Sequence, residues 1–190
     1  MQQAVHKEQN FVNGVNVTEL FNTIDAIKAD SRIADFNFRA KNKWVNGSMN
    51  VTTVDDYDGA LQQFSRETPF VLQKDEPEVL FGTDKSASPV EYLLAALAGC
   101  MTTSLVCHAA ARGIQITEVE SSYEGNVDLR GFLGLDEKIR NGYRSIKVAF
   151  KVKGNATEEQ LRELVEIAQQ RSPMFDVISN GVPITIVASV

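Results

Sequence analysis

One stretch limits what this chain can fold into more than any other. From Tyr92 to Ala111 the sequence carries no Asp, Glu, Lys or Arg, and Leu93, Leu94, Ala95, Ala96, Leu97, Ala98, Gly99, Cys100 and Met101 lead on to Leu105, Val106 and Cys107. Ahead of it, Ser88-Pro89-Val90-Glu91 puts a serine at an N-cap, a proline at the first helical position and a glutamate at the third, which together form a capping box. Behind it, Arg112-Gly113 supplies a stop, with glycine where the backbone turns left-handed. The sequence therefore predicts one helix over 88–113 that is apolar on nearly every side. Such a helix must be covered on nearly every side. Its small residues, Ala95, Ala96, Ala98 and Gly99, let another element come close.

The remainder predicts an α+β protein. Asn16 and Glu19 bracket another helix start, and Leu20, Phe21, Ile24 and Ile27 follow at helical spacing, giving a helix over 17–29 after a loose tail at 1–13. Between Phe36 and Phe81 the helical period is lost. Short antiparallel strands are expected there, with Asn46-Gly47 as a hairpin turn and further strands at 68–72 and 78–81 beside Pro69 and Pro77. Residues 116–128 alternate, with Val119, Ser121, Tyr123 and Val127 on one face. Residues 144–153 do the same, with Ile146, Val148, Phe150 and Val152 inward. Glu118, Glu120 and Glu124 on one strand and Lys147, Lys151 and Lys153 on the other suit neighbouring antiparallel strands. A connector with a short helical turn joins them over 129–142. Thr157 to Gln160 opens a helix, Ser172-Pro173 starts a second short one over 174–179, and 184–187 reads as a last strand.

Composition narrows the function. The 190 residues are 43% hydrophobic and 23% charged, which suits a packed domain. A net charge of −6 disfavours phosphate backbones, so no nucleic-acid partner is expected. No uninterrupted apolar run reaches the roughly 18 residues of a membrane span, and residues 1–9 are polar where a secretory signal would be apolar, so a cytoplasmic protein with no membrane partner is expected. There is no glycine-rich phosphate loop, no Gly-x-Ser-x-Gly and no Cys/His spacing for a metal; neither cofactor nor metal is expected. His6 lies in the tail, and His108 is the other histidine. Cys100 and Cys107 point nearly the same way but stand roughly 10 Å apart along a helix, too far for a disulfide with each other. By position alone, Cys107 reads as packing and Cys100 as a mid-helix thiol that gains little from the helix dipole.

The order of elements, and two motifs within it, carry a resemblance. The run from Ser88 through Cys100 resembles the central-helix motif of the OsmC/Ohr family, the osmotically inducible and organic hydroperoxide resistance proteins. Gln169-Gln170-Arg171-Ser172-Pro173 through Gly181-Val182-Pro183-Ile184 resembles the family's second motif. The resemblance implies an OsmC-like domain over 36–190, preceded at 1–35 by a tail and an extra helix. It implies antiparallel sheets wrapped around two central helices in an intertwined homodimer. It also implies a thiol peroxidase, in which one cysteine attacks an organic hydroperoxide, a second closes a disulfide, and a Glu and an Arg hold the thiolate. Cys100 falls on the attacking cysteine. Ser172 stands where the second cysteine would be, so an outside thiol has to resolve the cycle. Val90 replaces the family's Glu, with Glu91 one residue later and already used in the capping box. Arg39 and Arg66 are the candidate arginines by region. The alternative is a dimer without catalysis that binds a small hydrophobic or thiol-reactive ligand at the subunit interface.

Overall fold

A computed structural model describes residues 10–189. The polar tail at 1–9, with His6, lies outside the described residues, as does Val190. The chain separates into two compact units. Unit 1 holds Asn16–Leu93 and the residues up to Phe11; unit 2 holds Val12–Val15 and the residues from Leu94 on.

The expected loose tail is corrected beyond residue 10. A small hairpin forms there, β1 (Phe11–Val12) and β2 (Val15–Asn16). Its turn residue Asn13, in unit 2, donates from Nδ2 to the carbonyl of Ile114 at 2.9 Å and accepts the N–H of Ile116 at 2.8 Å. Those two bonds fasten the turn where a disordered tail would have none.

In unit 1, α1 (Val17–Ala29) begins as predicted, with the Asn16 side chain accepting the Glu19 N–H at 3.2 Å. Six strands follow: β3 (Asn37–Phe38), β4 (Lys41–Asn46), β5 (Met49–Val54), β6 (Tyr57–Gly59), β7 (Gln62–Phe64) and β8 (Phe70–Lys74). They make two antiparallel sheets of three strands, in the orders β3-β6-β7 and β4-β5-β8. The strand expected at 78–81 is instead a 3₁₀ turn, Glu78–Leu80. The reason lies next door. The Asp75 carboxylate accepts the N–H groups of Glu76, Thr83 and Lys85, which folds the chain back on itself and removes it from any sheet. Unit 1 has almost no apolar interior. Among the described residues, Val17 is its one buried hydrophobic side chain, while Phe38, Trp44, Phe70 and Val71 are exposed.

Unit 2 contains most of α2 (Pro89–Ala111), then β9 (Ile116–Gly125), α3 (Leu129–Phe132), β10 (Ile146–Gly154), α4 (Glu158–Arg171) and α5 (Pro173–Asn180). β9 and β10 pair antiparallel in the expected register, with Lys147 opposite Glu124, Lys151 opposite Glu120 and Lys153 opposite Glu118. Lys151 bridges Glu118 and Glu120, and Lys153 reaches Glu118. The opposite face of this ribbon packs Val119, Phe150 and Val152 against a core of Leu105, Ala109, Ile114, Leu164 and Ala168. α4 opens on the predicted capping box of Thr157 and Gln160.

In unit 2 one expectation is met only in part and one is corrected. α2 buries Leu97, Met101, Leu105, Ala109 and Ala110, but Ala95, Ala96, Gly99 and Thr103 are exposed. A single chain therefore covers one face of the helix and not all of it. Residues 181–189 form no strand, and Ile184, Ile186 and Val187 stand exposed. The alternating pattern is present, but among the described residues no strand edge takes it up.

Candidate functional site

α2 sets the position of Cys100. The thiol is free and half-buried, between exposed Gly99, where an added Cβ would meet nothing beyond its own helix within 4 Å, and buried Met101. Cys107 is also free and half-buried. Next to it, burial pushes the His108 imidazole pKa down, helped by the nearby Arg112 and Arg171 guanidiniums. A depression of about 450 Å³ over β4 and β5, lined by Lys43, Trp44 and Val51, does not include Cys100.

Ser172 has a structural task. It is 2% exposed, and its hydroxyl accepts the Phe175 N–H at 3.2 Å, capping α5 just ahead of Pro173. Asp176 adds an N–H donated to the Ser172 carbonyl at 3.0 Å. We expect Ser172→Ala to cost about 1 kcal/mol, with a range of roughly 0.5–2, as a lost N-cap does. Urea denaturation at fixed protein concentration reads this directly. An unchanged midpoint would show the cap to be dispensable.

Glu91 is held at the start of α2. The Ser88 N–H donates to its Oε2 at 2.7 Å and the Ser88 hydroxyl at 2.8 Å, and these two bonds lower its pKa, the backbone one most. The predicted capping box is thus real, and it occupies the carboxylate. Arg39 sits between Asp56, at 3.0 Å, and Asp58; these pairings, Asp58 first, raise its pKa. Arg66 donates to the Asp55 carbonyl and lies over two rings, 5.2 Å from the centroid of Tyr57 and 5.1 Å from that of Phe70. Arg39, Arg66 and Glu91 belong to unit 1, and Cys100 and Ser172 to unit 2. Within unit 1 the two arginines bind the same stretch, residues 55–58, and Glu91 is held on its cap.

Asp75 is a polar centre that sequence reasoning does not pick out. It is 1% exposed and accepts from the Ser48 hydroxyl at 2.6 Å, the Glu76 N–H at 2.9 Å, the Thr83 N–H at 3.0 Å and the Thr83 hydroxyl at 2.5 Å. These donors, Ser48 and Thr83 first, hold its carboxyl well below the usual range. Beside it, burial pushes the pKa of Glu76 up, with Glu91 and Asp75 adding repulsion. The nearest sequence signal is an acid at a strand end just before a proline, which is too common to single it out.

An antiparallel α+β fold, a central apolar helix carrying a free cysteine, and a Ser-Pro helix start about 70 residues on define a class. A family model described as OsmC-like protein matches residues 82–187, more than half of the chain, and the protein belongs to that family. Solved structures resemble it, among them the following two. An OsmC-like protein from Mycoplasma pneumoniae matches with a TM-score of 0.54 at 16% identity, over 76% of this chain and 88% of that one. An OsmC-like protein of unknown function from Vibrio cholerae matches with a TM-score of 0.51 at 14% identity, over 74% of this chain and 92% of that one. At such identities the likeness is one of fold. No curated protein sequence matches the chain. By length and composition α2 could cross a membrane. The OsmC-like fold is a soluble domain, and α2 gives Leu105 and Ala109 to the core of unit 2.

Proposed function

We propose that this protein is a one-cysteine thiol peroxidase, reducing organic hydroperoxides through Cys100 with an external thiol completing the cycle. The observation that carries this reading is a free, half-buried Cys100 within the family's central-helix motif, paired with a buried serine where a second cysteine would stand. The thiolate sulfur attacks the terminal oxygen of ROOH. The O–O bond breaks, ROH leaves after gaining a proton, and Cys100 becomes a sulfenic acid. An external thiol then displaces water from that sulfur to give a mixed disulfide, and a second thiol frees Cys100. A reducing cytoplasm suits such a cycle. In the single chain Glu91, Arg39 and Arg66 each already hold a partner.

The reading includes a homodimer, with the OsmC-like domain running from about residue 36. Among the described residues unit 1 buries one apolar side chain, the α2 face at Ala95, Ala96 and Gly99 is open, and residues 182–187 expose Val182, Ile184, Ile186 and Val187. So little burial does not sustain a stable sheet in water. A second copy is the economical cover.

A second reading has its own support, since Ser172, Glu91 and both arginines are already engaged. On that reading the dimer binds a small hydrophobic or thiol-reactive ligand and does no chemistry. Consumption of cumene hydroperoxide in the presence of dithiothreitol or a lipoylated protein separates the two. We expect turnover by the wild type and its complete loss in Cys100→Ser. A wild type that leaves the hydroperoxide untouched with either reductant removes the peroxidase reading, and a thermal-shift screen of hydrophobic ligands then tests the other.

A further inference from the structure

The loop between β8 and α2, residues 75–85, is built in an unusual way. Phe81 is 89% exposed and Val79 83% exposed, yet the backbone that carries them is tightly held. Phe81 has φ 68 and ψ 18, a left-handed conformation that a bulky side chain avoids. Asp84 is also left-handed, at φ 52. Between them, Gly82 passes so close to Glu76 that a Cβ would lie 1.7 Å from its carbonyl oxygen, so no other residue fits without moving backbone. The Gly82 N–H donates to the Pro77 carbonyl at 3.1 Å, and the Asp84 N–H to that of Glu76 at 3.1 Å. Beneath the loop, the buried Asp75 carboxylate takes donors from Glu76, Thr83 and Lys85 within the loop, and from Ser48 outside it.

Strain of this kind persists only where surrounding structure imposes it. Here it holds two large apolar side chains out in water, where they gain nothing from their own unit. A rigid aromatic side chain presented in advance is the usual centre of an interface, because little freedom remains to be lost on binding.

We propose that this loop is a preformed anchor by which two copies of the chain hold together, with Phe81 at its centre and Val79 beside it. The proposal rests on the dimer reading above and names the residues that carry it. Charge supports a second copy as the occupant. The apolar tip is flanked by Glu76, Glu78 and Asp84, with Lys85 at the foot, and among the described residues none of the three acids is in an ion pair. That rim, on a chain of net charge −6, repels nucleic acid and anionic membranes. The same chain offers the complement on unit 2: Arg112 and Arg171 are exposed and form no ion pair among the described residues.

Sedimentation equilibrium of the full chain, over a range of concentrations, tests this with Phe81→Asn and Val79→Ser. Asparagine tolerates left-handed backbone, so Phe81→Asn relieves strain while removing the ring. We expect it to keep the native far-UV circular dichroism and to raise the dimer dissociation constant at least tenfold, with a smaller rise for Val79→Ser. If Phe81→Asn loses the native spectrum, Val79→Ser alone decides. Variants that dimerise as tightly as a dimeric wild type overturn the anchor and leave the dimer standing. A wild type that stays monomeric overturns both.

Discussion

Leu105→Ala is expected to destabilise the protein by about 2–5 kcal/mol, the range for removing a fully buried leucine from a core. Leu105 is 0% exposed, in a cluster with Ala109, Ile114, Leu164 and Ala168. Two of those four neighbours are alanines, with no side chain long enough to swing into the space. Much of the rest of the wall comes from β9 and β10, where strand pairing fixes Val119, Phe150 and Val152, with Val106, Leu161 and Val165 packed from the helices. The cavity should therefore stay open, placing the cost toward the upper part of that range. For a chain of this length it lowers the melting temperature by roughly 5–15 °C. Leu105→Met, which nearly conserves volume, should cost less than about 1.5 kcal/mol. Urea denaturation should show a lower midpoint with an unchanged slope, measured at one protein concentration because dimerisation would add to stability. A loss below about 1 kcal/mol would mean that the cluster is not the core of unit 2.

The features legible in the sequence are those that a short segment decides by itself. Ser88-Pro89-Val90-Glu91 fixes the start of α2 through bonds within four residues, and the structure forms the same bonds between Ser88 and Glu91. The β9–β10 register follows from alternation plus the order of Glu and Lys, because one slip would turn Phe150 outward and separate Lys153 from Glu118. What was not legible depends on partners outside the segment itself. Glu78-Val79-Leu80-Phe81 has strand composition, but Asp75 takes the N–H groups around it and a turn results. Ile184 and Ile186 have the right pattern for a strand that no edge of this chain receives. The same holds for α2, whose apolar surface says that cover is needed and not which molecule provides it. At the candidate site, the caps at Ser172 and Glu91 could be read locally. The pairing of Arg39 with Asp56 and Asp58 could not, because it depends on β3 lying beside β6. The register of Cys100 rests on resemblance to a family motif, since spacing alone makes it an ordinary mid-helix thiol.

Asp75→Asn should lower the melting temperature by roughly 10 °C, even though the two side chains have nearly the same shape. The argument is one of donors and acceptors. Oδ1 accepts from the Ser48 hydroxyl and the Glu76 N–H, and Oδ2 from the Thr83 N–H, the Thr83 hydroxyl and the Lys85 N–H at 3.4 Å. An amide offers one oxygen. Placed at Oδ1, its NH₂ group faces the backbone donors of Thr83 and Lys85; placed at Oδ2, it faces that of Glu76. A hydroxyl can turn round and accept, but a backbone N–H cannot, so either orientation strands at least one part-buried donor. The charge makes a separate prediction about pH. The donors hold the folded pKa of Asp75 well below the usual range, whereas in the unfolded chain it lies near the ordinary value of about 3.9. The unfolded state therefore binds the proton first as pH falls, and stability falls with it. This contribution is complete above about pH 5 and is lost as pH drops through 4 toward the folded value. Asparagine has no proton to bind, so the gap in melting temperature between wild type and Asp75→Asn should be widest near neutral pH and narrow between pH 5 and 3. Thermal unfolding across that interval checks both claims. Two curves that stay parallel would show that the buried carboxylate does not carry its charge in the fold.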